Sequence, residues 1–102
     1  MRFALICIDQ PGAAEIRKAT RPAHLDYLRA RVANVVHAGP LLGETGAPLG
    51  SLFILDLPDR AAAEAFSAAD PYFQAGLFGS VTLHSYQSVF QDGAELDPRA
   101  AG

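Results

Sequence analysis

SLFILDL, residues 51–57, is apolar on both of the faces that a β-strand presents to its surroundings. Side chains alternate along a strand, so Leu52 and Ile54 would point to one side of a sheet and their neighbours to the other. The segment RFALICID, residues 2–9, has the same two-faced character. A strand with one face in water normally alternates apolar and polar residues. Both segments therefore predict a sheet that is covered on both of its faces.

The remaining segments supply the other elements of the fold. Helix formers dominate two of them, and turn residues divide the rest of the chain into short apolar runs. The pattern predicts strands over 2–9, 35–42, 51–57 and 80–90, helices over 13–33 and 60–70, and a hairpin loop over 43–50. The order β-α-β-β-α-β is typical of the ferredoxin-like α+β arrangement, a four-stranded antiparallel sheet with both helices on one face.

The length of the chain suits one compact domain. Its 102 residues fall in the size range of a single domain with its own core. We expect this domain over residues 1–90 and a polar C-terminal tail over residues 91–102. Two helices can cover only one face of the sheet. We therefore expect a second copy of the chain to pack its sheet against the free face, which gives a homodimer.

Composition argues against several classes of protein. The formal net charge of -3 and the pI near 5.4 argue against a nucleic-acid-binding protein, and the chain contains no basic run. Cys7 is the only cysteine, so no internal disulfide is expected, and no Cys/His pattern has the spacing of a metal site. No apolar run is long enough to span a bilayer. We expect a cytoplasmic protein that binds neither nucleic acid nor membrane.

Pro22 interrupts the first helical segment. A proline lacks the backbone N–H and is tolerated in the first turn of a helix but not in its interior. We therefore predict a break near residues 20–21 and a new helix that begins at Pro22, with His24 in its first turn. In an unbroken helix, the spacing of four, three and four residues would place four side chains on one side: Arg17, Arg21, His24 and Leu28.

Asp70 precedes a proline at the end of the second helical segment. The residue before a proline avoids the helical region, so Asp70 is expected to end this helix, and Pro71 to open a short turn that Gly76 closes. We expect the two helices to run in the same sense, which would keep Asp70 far from His24 unless the break turns His24 inward. Asp70 would otherwise serve only as a turn residue that binds the backbone.

Five segments, spread over most of the chain, together resemble the YCII-related proteins: ALICIDQPG, RPAHLDYL, AGPLL, GSLFIL and AADPYFQAGLF. The resemblance runs from the N-terminus to about residue 90. It implies a dimeric α+β barrel, in agreement with the two-faced strands. It also implies an active-site pair formed by His24 of RPAH and Asp70 of DPY.

Proton transfer is the chemistry that such a pair supports. A carboxylate that accepts a hydrogen bond from one imidazole nitrogen leaves the other nitrogen free as a general base. We expect isomerisation, elimination or ring opening of a small carbonyl or hydroxy-aromatic compound, without a cofactor. Arg21 would hold a carboxylate or phenolate of this ligand. Tyr72 and Phe78 would form an aromatic wall, and Ser51 would either offer its hydroxyl to the ligand or face the core.

Two other functions are compatible with the same sequence. The chain could be a cofactor-independent monooxygenase of small phenols, which fold analogy alone supports. It could also be a non-catalytic dimer that binds a small ligand or acts as an accessory protein. Contact between His24 and Asp70 in a shared pocket favours an enzyme, whereas their separation favours binding. His37 and His84 lie on predicted strands and are expected to have structural roles.

Overall fold

A four-stranded antiparallel sheet with the strand order β2-β3-β1-β4 forms the centre of the fold. The structure is a computed structural model that describes residues 1–96 of the chain. Its elements follow one another in this order: β1 (Arg2–Asp9), α1 (Ala14–Arg29), a 3-10 turn (Val32–Asn34), β2 (Val35–Leu42), β3 (Pro48–Asp56), α2 (Arg60–Ala69), α3 (Pro71–Gln74), β4 (Phe78–Tyr86), β5 (Phe90–Gln91) and β6 (Ala94–Glu95). The predicted ferredoxin-like α+β arrangement is confirmed.

Both long helices cover the same face of the sheet. On this face, Leu5 and Cys7 of β1 lie beside Phe53 and Leu55 of β3, and all four are buried. Phe66 of α2 completes this cluster, and Tyr27 and Leu28 of α1 pack against it. The alternation of buried and half-buried residues along β1 and β3 follows from the two-residue period of a strand. The core therefore lies between this face and the helices.

The opposite face of the sheet is not covered by any element among residues 1–96. Ala4 and Ile6 are half-buried there, and Ile8 is 41% exposed. Leu52 and Ile54 of β3 lie opposite Ile6 and Ala4 in the register and are half-buried too. We call this surface, formed by Ala4, Ile6, Ile8, Leu52 and Ile54, the open face.

Two strands have bounds that differ from the sequence prediction. The third strand begins at Pro48 rather than at residue 51, because the turn that precedes it is already closed by the hydrogen bond from Gly43 N–H to Ala47 O, 2.8 Å long. The last strand of the sheet ends at Tyr86 rather than at residue 90. Asp92 and Gly93 both adopt positive φ, which makes a tight turn and pairs β5 with β6 in a separate small hairpin.

The predicted domain boundary after residue 90 falls within this small hairpin. Arg2 Nη1 donates hydrogen bonds to Ser88 Oγ and to Gln91 Oε1, both 2.6 Å long, and so ties the hairpin to the start of β1. Residues 97–102 of the predicted tail lie outside the described residues.

The predicted break at Pro22 is wrong, because α1 is continuous from Ala14 to Arg29 with Pro22 inside it. An interior proline costs a helix about 3 kcal/mol, since one hydrogen bond is lost and the ring crowds the carbonyl four residues earlier. Pro22 and Lys18 are both exposed, so water can reach the carbonyl of Lys18 that loses its partner. Packing of the helix face that carries Arg17 and His24, both buried, offsets this cost.

The predicted sense of the helices is also wrong, because α1 and α2 run antiparallel. Tyr27 Oη of α1 donates a hydrogen bond to Phe66 O of α2, 2.8 Å away. His24, which lies one turn before Tyr27 in α1, contacts Asp70, which lies four residues after Phe66. The contacts therefore move back along α1 as they move forward along the second helix. The reason lies in the sheet: β1 and β3 are antiparallel, and each helix runs back along the strand that precedes it.

The ends of the second helix behave as predicted. Asp59 caps α2, because its side chain accepts a hydrogen bond 2.8 Å long from Ala62 N–H. Asp70 ends this helix, Pro71 opens α3, and Gly76 follows with a φ of 74° that glycine adopts without strain. None of the helices within residues 1–96 is long and apolar enough to cross a membrane.

Replacing Pro22 by alanine is expected to raise the free energy of unfolding by about 1–3 kcal/mol, because the helix regains a hydrogen bond and loses a steric conflict. Urea denaturation of the wild type and the variant measures this change. Pro58→Ala is the matched control, since Pro58 lies in the loop between β3 and α2 and breaks no helix. A variant Pro22→Ala that is less stable than the wild type would show that the helix depends on its proline.

Candidate active site

His24 and Asp70 form a buried hydrogen-bonded pair. The distance from His24 Nδ1 to Asp70 Oδ1 is 2.8 Å, and the two residues are 6% and 2% exposed. An ionised carboxylate can only accept, which assigns the donated proton to Nδ1. The pair joins two residues 46 positions apart in the chain.

Asp70 is held in place by the start of α3. Its Oδ1 also accepts a hydrogen bond 2.9 Å long from Tyr72 N–H, so the carboxylate caps α3 while it binds the imidazole. Pro71 occupies the first turn, where its missing N–H does no harm. The Asp-Pro-Tyr sequence thus builds a rigid support for His24.

Aromatic rings fix the plane of the His24 imidazole. The Tyr72 ring stacks on it with centroids 3.9 Å apart and an angle of 15° between the planes. Phe53 meets it edge-on with centroids 5.9 Å apart. Every buried side-chain nitrogen and oxygen within residues 1–96 has a hydrogen-bond partner or touches solvent. Nε2 of His24 has no partner among these residues and therefore faces solvent.

That solvent lies in a cavity of about 260 Å³ between α1 and the hairpin formed by β2 and β3. The side of α1 that faces it carries the four residues whose spacing places them together in an unbroken helix: Arg17, Arg21, His24 and Leu28. Ser51, Phe53 and Tyr72 line the cavity from the sheet and from α3. Ser51 is 3% exposed, so its hydroxyl sits at the inner wall.

Not every residue selected from the sequence reaches the cavity. Arg21, His24, Ser51 and Tyr72 line it, and Asp70 supports His24 from behind. The structure does not bring Phe78 to the wall. Its ring packs edge-on against Tyr72 with centroids 6.1 Å apart and supports that ring within the core.

Arg17 and Asp9 form a buried ion pair that was not predicted from the sequence. Arg17 Nε donates to Asp9 Oδ2 at 2.8 Å, and Nη2 donates to Asp9 Oδ1 at 3.0 Å and to Ser51 Oγ at 2.9 Å. The two side chains are 11% and 9% exposed. The signal for Arg17 was its position two helical turns before His24, whereas nothing local marked Asp9 as its partner.

The charged side chains of the site balance in number, two arginines against Asp9 and Asp70, but Asp70 lies behind His24 and Arg21 lines the cavity wall. Burial opposes the charged form of Arg17, but the hydrogen bond and charge of Asp9 outweigh it and raise the pKa of the guanidinium. Asp9 therefore neutralises Arg17. Arg21 is exposed and forms no ion pair with any of residues 1–96. The cavity is consequently suited to an anionic ligand, which the planar guanidinium of Arg21 can bind through two hydrogen bonds.

Cys7 lies under the site, opposite Ser51 in the sheet. Burial, with the nearby carboxylates of Asp70 and Asp9, raises the pKa of its thiol to about 12. The thiolate is the nucleophilic form of cysteine, so Cys7 stays neutral and unreactive at physiological pH. Among residues 1–96, no cluster of three or more His, Cys, Asp or Glu residues could hold a metal ion.

Cys7 is expected to resist a disulfide reagent such as Ellman's reagent at pH 8 in the folded protein and to react rapidly after unfolding. The pKa is higher in the folded state than the ordinary value of 9.0, so the folded state keeps the proton longer. Stability from this group is therefore complete below about pH 9 and is lost as the pH rises toward 12. Rapid labelling of the folded protein at pH 8 would contradict the buried, neutral thiol.

Comparison with known proteins places these features in context. A family model described as the YCII-related domain matches residues 1–86. Protein YciI of Escherichia coli O6:H1 and Protein YciI of Shigella flexneri are each 31% identical to the chain over 98 residues, which cover 88% of this chain and all of theirs.

Solved structures of other proteins share the fold. The 5-chloro-2-hydroxyhydroquinone dehydrochlorinase TftG of Burkholderia phenoliruptrix AC1100, in complex with 2,5-dihydroxybenzoquinone, superposes with a TM-score of 0.81 at 28% identity and covers 85% of this chain and 94% of its own. An antibiotic biosynthesis monooxygenase gives a TM-score of 0.50 at 16% identity over 85% and 98% of the two chains. The second likeness concerns the fold alone.

Proposed function

Because this chain belongs to the YCII-related family, we propose that it is a cofactor-free enzyme whose His24–Asp70 pair transfers protons on a small hydroxy-aromatic or carbonyl compound. The observation that carries this proposal is the 2.8 Å hydrogen bond between two buried side chains at the wall of a cavity of about 260 Å³. A cavity of about 150 Å³ accommodates benzene, so this one has room for a substituted single ring.

The chemistry follows from the two nitrogens of His24. Asp70 holds the proton of the neutral imidazole on Nδ1, so Nε2 can accept a proton from a hydroxyl, or from a carbon next to a carbonyl. The carboxylate then stabilises the imidazolium that forms. The electron pair left on the ligand can take up a proton at another atom, which is isomerisation. It can instead break a bond and release an anion, which is elimination or ring opening.

Elimination from a ring that carries several hydroxyl groups is the favoured reaction. TftG, which shares 28% identity over most of the chain, is a dehydrochlorinase of 5-chloro-2-hydroxyhydroquinone. Such a ring, once a hydroxyl is ionised, is an anion, and the positive charge of Arg21 at the cavity wall would attract it. Loss of hydrogen chloride requires a base and a place for the charge, and it requires neither oxidant nor reductant.

The test is turnover of 5-chloro-2-hydroxyhydroquinone, followed by chloride release and by the visible spectrum of the product. Chloride release without oxygen at a rate proportional to protein concentration supports the proposal. Release or product formation that needs oxygen would overturn it in favour of a monooxygenase. Saturable binding of the ring without any reaction would overturn it in favour of a binding protein.

We also propose that the chain forms a homodimer through its open face. This surface is an apolar stripe across the two central strands, and a second copy can cover it sheet to sheet. Specific interfaces bury about 1,600 Å² in total, and a face-to-face pairing of four-stranded sheets can provide such an area. His37 and His84 would flank this stripe, since both lie in register with Ile54 and Ala4.

Light scattering at micromolar concentration is expected to give twice the 10.8 kDa of one chain. Ile6→Glu should reduce this mass to that of the monomer, because it buries an unpaired carboxylate at the centre of the open face. Ala61→Glu, on the exposed side of α2, adds the same charge elsewhere and should leave the mass unchanged. A wild-type protein that is monomeric at this concentration would refute the dimer.

A further inference from the structure

We infer that the hydroxyl of Tyr72 is a second ligand-contacting group, which donates a hydrogen bond to one oxygen of a planar ring while His24 removes a proton from another. The inference rests on the proposed function and deepens it, because it names the pattern of ligand oxygens that the site selects. The ligand class is a small conjugated ring that carries both a hydroxyl and a carbonyl or oxyanion.

The position of the Tyr72 ring is fixed by two side chains of α1. One contact is the stack on His24, with centroids 3.9 Å apart. The other is the guanidinium of Arg17, whose Cζ lies 4.8 Å from the Tyr72 centroid. These residues are two helical turns apart on the helix face that lines the cavity. Tyr72 therefore cannot rotate away from His24 without the loss of both contacts.

The Tyr72 hydroxyl can donate its proton to a ligand. Arg17 makes its close hydrogen bonds to Asp9 and Ser51, and its guanidinium also lies beside the phenol, where its charge and hydrogen bonding act to lower the pKa of Tyr72. A guanidinium can only donate, so the phenol keeps its own proton to donate. No other group of residues 1–96 forms a hydrogen bond with this hydroxyl. Every buried side-chain oxygen among these residues has a hydrogen-bond partner or contacts solvent. The residue is only 1% exposed yet lines the cavity. Its hydroxyl must consequently meet the solvent of that cavity.

The hydroxyl acts as a donor rather than as an anion. Burial raises the pKa of the Tyr72 phenol, although the guanidinium groups of Arg17 and Arg21 act in the opposite direction. The phenol thus keeps its proton at neutral pH, while Arg21, which has no ion-pair partner among residues 1–96, favours a negatively charged oxygen beside it. A protonated donor next to positive charge is the arrangement that stabilises a developing oxyanion.

The two groups together match the electron flow of the reaction. His24 Nε2 takes the proton from one hydroxyl of the ring, and the electron pair left on that oxygen spreads through the conjugated ring to the second oxygen. The negative charge there receives the hydrogen bond of Tyr72 and the charge of Arg21. In an elimination, the charge instead reaches the ring carbon that bears the leaving group, and this carbon takes the proton back from His24. A second hydroxyl then gives its proton to Nε2, and its electron pair expels the leaving anion and leaves a quinone. The second proton passes from His24 to solvent. No bond to the protein forms, and no electron is gained or lost overall.

The inference is tested by titrating the protein with 4-nitrocatechol, a planar ring with adjacent hydroxyl groups whose anion absorbs visible light. We expect the wild type to bind the anion in preference to the neutral form. Tyr72→Phe, which removes one oxygen and keeps the stacked ring, should weaken binding of the anion about 10–100-fold, the effect of one hydrogen bond to a charged group. It should also raise the pH at which the bound probe ionises.

Tyr27→Phe is the matched control. It too removes a phenol oxygen, but that hydroxyl donates to Phe66 O and does not line the cavity. Binding that is unchanged in Tyr72→Phe, or equally weakened in both variants, would overturn the inference, and so would a wild type that does not bind the probe. The proposed function is judged separately, by chloride release from the wild type, so the two can fail independently.

Discussion

Replacing Arg17 by methionine is expected to lower the free energy of unfolding by about 3–5 kcal/mol. The substitution keeps much of the side-chain volume but leaves the carboxylate of Asp9 without its partner, at 9% exposure. Two charge-assisted hydrogen bonds to Asp9 and one to Ser51 are lost with the guanidinium. Urea or guanidinium denaturation, followed by circular dichroism, measures the change.

Two controls separate this effect from a general loss of charge. Arg29→Met breaks the ion pair with Asp26, whose side chains are 70% and 77% exposed, and exposed pairs contribute at most about 1 kcal/mol. The double variant Asp9→Asn, Arg17→Met should be less destabilised than the sum of the single variants, since no charge is left unpaired. If Arg17→Met and Arg29→Met cost the same, Arg17 contributes no more than a surface residue.

Replacing His24 by alanine is expected to lower kcat/KM about 100- to 10,000-fold, the usual contribution of a positioned general base. The reason is that Nε2 is the acceptor that the cavity presents to a bound hydroxyl, and Asp70 cannot take its place because it lies behind the imidazole. Added imidazole should restore part of the activity, because the space left by the ring adjoins the cavity. A variant His24→Ala with full activity would end the proposal of a His24 base.

Asp70→Asn separates the charge of the carboxylate from its shape. Asparagine caps helices as well as aspartate, so α3 and its bond to Tyr72 N–H should persist. Its amide oxygen can still accept from Nδ1, but it carries no charge to stabilise the imidazolium. We expect a smaller loss of kcat/KM than for His24→Ala, about 10–100-fold, with stability close to that of the wild type. Asp70→Ala should lose stability as well, because it removes the cap.

The local elements of this protein could be read from neighbouring residues. The apolar runs predict the strands, Asp59 predicts the cap of α2, and Gly76 predicts the end of α3. The spacing of Arg17, Arg21, His24 and Leu28 even describes the wall of the cavity, provided that the helix is unbroken. Such features depend on residues that lie close together in the chain, so they can be predicted from the order of the residues.

The continuity of α1 could not be predicted from neighbouring residues. Proline at position 22 opposes a helix locally, and only the packing of Arg17 and His24 against the rest of the protein outweighs it. That packing energy belongs to contacts with distant segments. A prediction from local preference therefore places a break where the folded chain has none.

The pairs of the site were decided by the tertiary structure. The sequence, through its resemblance to a known family, pointed to His24 and Asp70. It also led us to expect that the two helices run in the same sense, which would keep His24 and Asp70 apart unless α1 were broken. The antiparallel pairing of β1 with β3 turns α1 and α2 in opposite directions and brings these side chains to 2.8 Å. Asp9 and Arg17, eight residues apart, meet across the turn between β1 and α1, and the pairing of β1 with β3 adds Ser51 to them through the hydrogen bond from Arg17 Nη2. Residue types determine which chemistry is possible, whereas the register of the sheet decides which residues meet, because it relates segments that the order of the chain keeps apart.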